Sequence, residues 1–399
     1  MPGCASCCSD YKEILQRNST VMTHYAYKVG GVLPWDSSVY VYRQADTELY
    51  EGIISGQFCT VLGPRLTGKS SLGIQTRHRL RQIGYQCVTI QASELIDFPQ
   101  GYYRWDKQLA ALLWDSLYSE NLAPLQQWLR ETSNLLPQER LERIAGELFA
   151  DLLEAGPVVI FVDAAEALLN IPFLANDLCD WIGHCLSLRK IYPLYKNLRF
   201  VISGSASLSK LIQNEVLLKN RRDVVLHNFT LANTLPLQRG FAERLAQPQQ
   251  VIEAVLRWTN GQPILTQKLC YLLKAMMDDF CVPTGPVAPF SEAMDQWIDH
   301  VVQSRIIANW NRQDDLSHLW DVGYALINSR YRQQILSIYR SVLVDQLVEV
   351  KDTMAQHELL QSGLVIAENG QLKTANEIYR HVFSSLFSSS FSSLVFHPQ

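Results

Sequence analysis

The stretch with the clearest capacity for chemistry is G-P-R-L-T-G-K-S-S at positions 63–71, which meets the pattern G-x-x-x-x-G-K-[ST] in full. In that pattern the glycines let the backbone turn its N–H groups toward phosphate. Lys69 then reaches the β- and γ-phosphates, and Ser70 offers a hydroxyl to Mg²⁺. A glycine-rich turn without a ligand is the alternative interpretation. We expect a nucleotide's phosphates to be held by Gly63, Pro64, Arg65, Leu66, Thr67, Gly68, Lys69, Ser70 and Ser71.

A second candidate is Asp163, the last residue of the apolar run P-V-V-I-F-V-D at 157–163. Nucleotide sites of this kind place a carboxylate at the end of a second strand, where it holds the Mg²⁺ shell. Ser70 and Asp163 are therefore the predicted metal-binding residues, and ATP or ADP with Mg²⁺ are the predicted cofactors. A helix N-cap after a core strand is the alternative for Asp163.

The elements around the loop favour the nucleotide interpretation. F-C-T-V-L at 58–62 is typical of a buried strand, residues 70–83 have helical spacing before Gly84, and C-V-T-I at 87–90 is typical of another strand. Strand, loop, helix and strand in this order predict a βαβ unit and a parallel sheet. Two later apolar runs predict further buried strands at 157–163 and 198–204.

The second half of the chain differs in pattern. Strand signals stop near Thr230, helical spacing continues through 251–277, and Asn369-Gly370 between two alternating runs predicts a type I′ hairpin. The fold class we predict is α/β, with a P-loop NTPase parallel sheet sandwiched by helices, a helical lid and a winged-helix module. The expected divisions are a mobile tail at 1–24, an NTPase domain at 25–235, a lid at 236–290, a winged-helix domain at 291–385 and a low-complexity tail at 386–399.

Composition narrows the partners. The 399 residues carry 35 basic and 39 acidic side chains, a formal charge of −4, so no global positive field attracts nucleic acid. No run approaches the roughly 18 apolar residues of a membrane span, and the N-terminus lacks the apolar region of a secretory signal. We therefore expect a cytoplasmic protein without a membrane span.

The nine cysteines are an odd number. Most lie in strand-like or helix-like segments and are expected to be reduced core thiols. Cys4, Cys7 and Cys8 form a C-x-x-C-C cluster that supplies only half a zinc site. Metal binding, acylation and the absence of any role all stay open for this cluster.

Several of these stretches resemble one family, the AAA-like ATPase domain of bacterial multidomain proteins, which is related to the signal-transduction ATPases called STAND NTPases. The resemblance spans roughly residues 25–385. It is carried by Y-K-V-G-G-V-L-P, V-Y-R-Q-A-D-T-E-L-Y, the phosphate loop, V-V-I-F-V-D-A-A-E, W-T-N-G-Q-P-I-L-T-Q-K-L-C at 258–270, S-G-L-V-I-A-E-N-G-Q-L-K and N-E-I-Y-R-H-V-F.

The resemblance implies further site residues. In signalling ATPases of this type a glycine-any-proline motif in the lid packs on the base, and Gly261 and Pro263 match it. The alternative for Pro263 is the first turn of a helix. Tyr42 and Arg43 match a family segment that lies near the adenine.

Departures from the family affect hydrolysis. The family more often has aspartate-glutamate where Asp163 and Ala164 stand, and an alanine cannot polarise water. The predicted catalytic residues are therefore Asp163 and Glu166, the next acid along the chain. If Glu166 does not orient the water, turnover is slow and the site serves as a switch.

Two further segments each allow two interpretations. K-N-R-R-D-V-V at 219–225 replaces a family segment, and its arginines, Arg221 and Arg222, are either γ-phosphate sensors or, as we prefer, residues of a solvated turn. Ser203 or Ser205 is either a polar sensor on the fourth strand or a satisfied strand-end serine.

The function we expect is an ATP/ADP-dependent switch that works through a protein partner or self-association. One alternative is a nucleic-acid-handling ATPase of the initiator or transposition type, with the winged helix as reader. Its candidate recognition helix at 352–363 contains acids and no Lys or Arg, which disfavours nucleic acid without excluding it. Another is a scaffold that binds nucleotide without turnover. A small-molecule kinase is disfavoured because it has no use for the lid and winged helix.

Overall fold

The protein is described here by a computed structural model that covers residues 27–96, 105–118, 121–205, 212–277, 291–308, 310 and 317–388. The predicted N-terminal tail and Cys4, Cys7 and Cys8 lie outside these described residues, as does 389–399 of the predicted C-terminal tail.

A five-stranded parallel sheet forms the centre of the first half of the chain. Its spatial order is β2-β3-β4-β1-β5. The strands are β1 (Phe58–Leu62), β2 (Gln86–Gln91), β3 (Val158–Asp163), β4 (Leu198–Gly204) and β5 (Arg221–Val225). All four neighbouring pairs are parallel. The carboxyl ends of β1 and β3 therefore meet at one edge of the sheet, with only β4 between them.

The first four strands confirm the prediction from their apolar runs, but β5 does not match the solvated turn expected at 219–225. Val224 is buried, and the Thr60 hydroxyl on β1 donates to Asp223. In the register of the sheet Arg221 pairs with Phe58, at the amino end of β1. Arg221 and Arg222 therefore lie at the edge opposite the phosphate loop, about 13 Å away at 3.3 Å per residue, and do not reach it within one chain.

Helices cover both faces of the sheet. One face packs against α1 (Gln44–Ile54) and α2 (Lys69–Gln82) through Leu49, Ile53 and Leu72. The other face carries the remaining helices of this half. These are α3 (Trp105–Tyr118), α4 (Ala123–Glu131), α5 (Pro137–Arg143), α6 (Ala150–Ala155), α7 (Pro172–Leu188) and α8 (Glu215–Asn220). Short 3₁₀ or π turns are interspersed at Ala92–Leu95, Ile144–Leu148, Ala165–Asn170 and Pro193–Asn197. The observed layers are those of an α/β fold with helices on both sides of a parallel sheet.

The second half is helical apart from one hairpin. Its helices are α9 (Leu235–Arg239), α10 (Pro248–Thr259), α11 (Pro263–Met276), α12 (Glu292–Val302), α13 (Ser317–Ile327), α14 (Arg332–Leu343), α15 (Met354–Ser362) and α16 (Glu377–Ser388). Short turns lie at Leu231–Asn233 and Gln303–Ile307. Antiparallel β6 (Val365–Glu368) and β7 (Gln371–Thr374) form the hairpin predicted around Asn369-Gly370. Both turn residues have positive φ, 51° and 76°, as a type I′ turn requires.

One hydrophobic cluster joins the predicted lid to the predicted C-terminal module. It contains Leu265 and Leu269 of α11 together with Leu359 of α15, and it also takes in Val39 and Val41 from the N-terminal segment. The N-terminal segment is thus packed against the second half as well as the first. Helix α16 continues through Ser388, so three residues of the predicted low-complexity tail are helical.

The helices were compared with the length and hydropathy of a membrane span. Within the described ranges, none combines the length and the hydropathy that crossing a bilayer requires.

Candidate functional site

The phosphate loop lies where the sequence places it, between the end of β1 and the start of α2. Gly68 has φ 93°, which favours glycine, and the helix begins at the next residue. The Lys69 ammonium donates hydrogen bonds to the carbonyl oxygens of Gly63 at 3.1 Å and Pro64 at 2.7 Å. Burial lowers the pKa of Lys69, and the charges of Glu166 and Asp163 partly offset that effect. The loop therefore holds a desolvated cation at the N-terminal end of a helix, a position that favours anions.

Asp163 ends β3 at the same edge of the sheet. Its Oδ1 accepts hydrogen bonds from the Ser203 hydroxyl on neighbouring β4 and from the Ala164 amide, the latter at 2.9 Å. Of the two serines that the sequence left open, Ser203 is thus the partner of the predicted metal-binding carboxylate. Ser205 Oγ is buried, with no hydrogen-bond partner among the described residues.

Glu166 lies three positions after Asp163, and the chain turns sharply between them. Ala164 takes a left-handed conformation with φ 52°, and the turn Ala165–Asn170 begins directly after it. Glu166 Oε2 is buried and has no hydrogen-bond partner among the described residues. Such an atom costs free energy unless a ligand or water satisfies it. The side chain lines the same cavity as Asp163.

A cavity of about 660 Å³ opens over the phosphate loop. This volume is within the range of small-molecule and cofactor sites. Of the residues predicted from the sequence, its walls contain Arg43, Arg65, Leu66, Gly68, Lys69, Ser70, Ser71, Asp163, Glu166 and Pro263. Gly63, Pro64, Thr67 and Tyr42 do not line the cavity, although Pro64 and Thr67 are backbone neighbours of residues that do.

Arg43 and Tyr42 point in different directions. The Arg43 guanidinium is buried and donates to the carbonyl oxygens of Thr67 at 2.8 Å and His227 at 3.2 Å. It also lies over the Phe229 ring, 5.4 Å from the ring centre. The Tyr42 side chain is 43% exposed and its hydroxyl donates to Gln75. Arg43 therefore ties the N-terminal segment to the phosphate loop, while a base-binding role for Tyr42 stays a prediction.

The glycine-any-proline stretch forms the joint between the two halves. The Phe229 amide donates to the Gly261 carbonyl at 2.8 Å, and Gly261 has φ 68°. Gln262 caps α11 by accepting from the Leu265 amide. Pro263 begins α11 and also lines the cavity, so both interpretations of Pro263 are compatible with its position.

Two groups of cavity residues were missed in the sequence. One comes from the N-terminal segment: Lys28, Gly30, Gly31, Val32, Leu33, Tyr40 and Val41. The other comes from helices near the C-terminus: Asp321, Val322, Ala325, Leu326, Glu358, Gln361 and Ser362. Beside them lie Phe229, Ile264 and Gln267. The stretches Y-K-V-G-G-V-L-P and G-Q-P-I-L-T-Q contain some of these positions, but neither stretch indicates by itself that they line a cavity, because their proximity arises from the packing of the two halves.

The donor set fits a magnesium nucleotide. Mg²⁺ prefers one or two protein oxygen ligands completed by phosphates and waters, and Ser70 and Asp163 supply a hydroxyl and a carboxylate to one cavity. Among the described residues no group of three or more His, Cys, Asp or Glu side chains offers a protein-only metal cage. The five cysteines that the structure describes, Cys59, Cys87, Cys179, Cys185 and Cys270, are free thiols.

A known protein matches most of this chain by sequence. An uncharacterized WD repeat-containing protein of Synechocystis sp. is 30% identical over 362 residues, which is 90% of this chain. The chain spans 30% of that relative's own length.

Solved structures share the fold. The Walker-type ATPase PABY2304 of Pyrococcus abyssi has a TM-score of 0.54 at 16% identity, covering 90% of this chain and all of that one. The ORC1 protein of Aeropyrum pernix in complex with DNA is more distant, with a TM-score of 0.39 at 11% identity over 90% of this chain and 94% of that one. The second likeness is too low to support an argument. The AAA-like domain family matches residues 28–280, and the chain therefore belongs to the AAA-like domain family.

Proposed function

We propose that this protein binds ATP and ADP with Mg²⁺ in the cavity above the phosphate loop and acts as a nucleotide-dependent regulatory switch of the STAND type. The observation that carries the proposal is the composition of the cavity wall. The phosphate loop and Asp321 and Glu358 of the C-terminal helices line one and the same cavity. A nucleotide in this cavity contacts both halves of the chain, so the number of phosphates it carries can change how the two halves pack.

The residues have separate roles in this proposal. Lys69 and the loop amides bind the β- and γ-phosphates, while Ser70 and Asp163 hold Mg²⁺, which neutralises phosphate charge when bound. Ser203 keeps the Asp163 carboxylate oriented through its hydrogen bond. Arg43 fixes the loop against the N-terminal segment through Thr67.

Hydrolysis depends on Glu166. Ala164 offers no group that could orient water, whereas Glu166 lines the cavity near Lys69 and its Oε2 has no hydrogen-bond partner in the part of the chain that the structure describes. We propose that Glu166 positions the attacking water, with slow turnover because the carboxylate is displaced from the position directly after Asp163. A scaffold that never hydrolyses ATP is the second candidate, and Ala164 is the observation that favours it.

The switching arises from charge. ATP carries more negative charge than ADP, and the carboxylates of Asp321 and Glu358 face the same cavity. A switch requires that the two nucleotides bind the open and closed states with different affinity. In our proposal ADP is compatible with the packed arrangement, and the γ-phosphate weakens it by repulsion.

The C-terminal helices and hairpin have the order of a winged-helix module, and we assign them as one. In that assignment α15 is the recognition helix. Its sequence M-A-Q-H-E-L-L-Q-S contains no Lys or Arg, and Glu358, Gln361 and Ser362 line the cavity. Basic residues that neutralise phosphates are the usual basis of nucleic-acid affinity. Their lack in α15 favours an output through protein contacts over nucleic-acid handling.

The partner we propose is a protein surface, in a neighbouring part of a longer chain or in a separate protein. The relative from Synechocystis is named as a WD repeat-containing protein, and this chain covers 30% of its length. Repeat domains of that kind present binding surfaces. A cytoplasmic location remains a prediction from composition.

The test measures ATP and ADP affinity by calorimetry and then phosphate release over hours in the same samples. Lys69→Ala should lose at least tenfold in affinity for both nucleotides. The matched control is Lys196→Ala, an exposed lysine in the turn that precedes β4, and it should bind as the wild type does. A wild type that binds neither nucleotide would overturn the proposal.

A further inference from the structure

Apolar side chains form part of the cavity wall. They include Leu33 and Val41 from the N-terminal segment and Ile264 from the first turn of α11. Apolar walls of this kind accommodate a flat aromatic ring, while a few polar atoms fix its orientation. For a bound nucleotide we place the base against these side chains.

Gln267 is a polar side chain in this region. It lies on α11 one turn after Pro263, lines the cavity and is 5% exposed. Its Nε2 donates a hydrogen bond to the Val39 carbonyl at 3.1 Å. A backbone carbonyl only accepts, so this contact fixes which end of the amide faces Val39.

The other end of the amide is unsatisfied. Gln267 Oε1 is buried and has no hydrogen-bond partner among the described residues. A buried acceptor of this kind costs free energy until a donor reaches it. The nearby Tyr40 hydroxyl donates to Asp46 at 2.7 Å and so directs its proton away from Gln267.

We propose that Gln267 Oε1 accepts a hydrogen bond from the exocyclic amine of adenine and makes the site selective for adenine over guanine nucleotides. The inference rests on the proposed ATP/ADP function and adds the residue that recognises the base. Adenine carries an amine donor at position 6, whereas guanine and hypoxanthine carry a carbonyl acceptor there. A carbonyl opposite Oε1 would leave two acceptors facing each other without a proton.

The experiment measures equilibrium affinity of the full chain for four triphosphates. ATP has the amine, GTP and ITP have the carbonyl, and purine riboside triphosphate has only hydrogen at position 6. We expect ATP to bind about tenfold or more tightly than ITP and GTP. Purine riboside triphosphate should fall between ATP and ITP, because it offers no donor and imposes no repulsion. This series requires no variant and so does not depend on a mutant that folds.

A variant then assigns the selectivity to Gln267. Gln267→Leu should weaken ATP binding about tenfold while changing ITP binding little, so that the ratio of the two affinities approaches one. The matched control is Gln75→Leu. Gln75 is also buried and also donates to the N-terminal segment, at the Pro34 and Trp35 carbonyls, but it does not line the cavity. It should keep the ATP-to-ITP ratio of the wild type.

The outcomes separate the inference from the function beneath it. A wild type that binds ATP and ITP equally, or a Gln267→Leu protein that keeps the wild-type ratio, overturns the base assignment and leaves nucleotide binding intact. A collapsed ratio in Gln75→Leu would also overturn it, because the effect would then come from loosening the segment. Lys69→Ala should instead weaken the binding of all four triphosphates by a similar factor. A wild type that binds none of them overturns both proposals.

Discussion

Gly261 and Phe229 are joined by a hydrogen bond from the Phe229 amide to the Gly261 carbonyl at 2.8 Å, and no side chain fits between them. A Cβ at Gly261 would overlap the Phe229 carbonyl oxygen, and its φ of 68° already favours glycine. Asn228 Nδ2 adds a second bond, to the Asn260 carbonyl at 2.8 Å. This backbone joint sets how the helical half meets the sheet half, and so how the cavity closes.

The joint predicts a large effect of one methyl group. Gly261→Ala should destabilise the protein by about 3 kcal/mol or more, because strain at positive φ adds to the overlap with backbone that cannot rotate away. Chemical denaturation measures this loss. Gly370→Ala is the control, since Gly370 has φ 76° and no heavy atom of another described residue beyond its chain neighbours lies within 4 Å of an added Cβ, and it should cost only about 1 kcal/mol. Equal losses in the two variants would show that the Phe229 contact is unimportant.

Glu166 gives a prediction about turnover. Glu166→Gln should reduce phosphate release about a hundredfold, because an amide cannot accept a proton from the attacking water. ATP affinity should change little, since Glu166 is not a proposed phosphate ligand. Single-turnover phosphate release checks both quantities, with Glu154→Gln, an exposed acid on α6, as the control. Wild-type turnover in Glu166→Gln would remove this residue from the mechanism.

The carboxylates of Asp321 and Glu358 predict a difference between the ATP and ADP affinities of a variant. Glu358→Gln should raise ATP affinity a few-fold more than ADP affinity, because the γ-phosphate then meets one negative charge fewer. The difference should shrink as salt rises. Titrations at low and high ionic strength measure it, and Glu349→Gln provides an exposed acid of the same region that does not line the cavity. An equal gain for ATP and ADP would contradict a charge-based switch.

Lys69 predicts a pH dependence in which binding and stability move in opposite directions. Burial lowers its pKa from the ordinary 10.5, so the folded protein loses this proton at a lower pH than the unfolded chain does. Between the two values the stability of the nucleotide-free protein should rise with pH. ADP affinity should fall over the same window, because the phosphates bind the charged amine. Titrations from pH 7 to pH 10 check this, and the residual affinity of Lys69→Ala should not show the same decline.

Local sequence signals were sufficient for much of the molecule. Gly63, Gly68 and Lys69 predict a phosphate loop because the motif describes backbone geometry over a few residues, and the structure has that loop between a strand and a helix. The hairpin at Asn369-Gly370 follows from the positive φ that a type I′ turn needs. Strands buried on both faces are mostly apolar, so β1, β3 and β4 were evident as well.

Strand β5 shows where local signals fail. Its residues R-R-D-V-V are polar for most of their length, since an edge strand has only one neighbour and its side chains reach solvent. The pairing of Val224 beside Val61 comes from the register of the whole sheet. The same register places Arg221 and Arg222 far from the phosphate loop, which the residue types alone did not reveal.

The sequence by itself determined the chemistry near Lys69 and Asp163, because residues within or at the end of one strand-loop-helix unit are positioned by short-range backbone geometry. Only the tertiary structure brought Gln267, Asp321 and Glu358 to the same cavity. The positions of these three depend on a hydrophobic cluster that packs residues more than 300 positions apart, from Val39 to Tyr379. The hydrophobic effect depends on the apolar area that is buried and not on which residues meet, so the sequence alone does not show how the cluster packs. Only the close packing of the folded chain decides which polar side chains line the cavity.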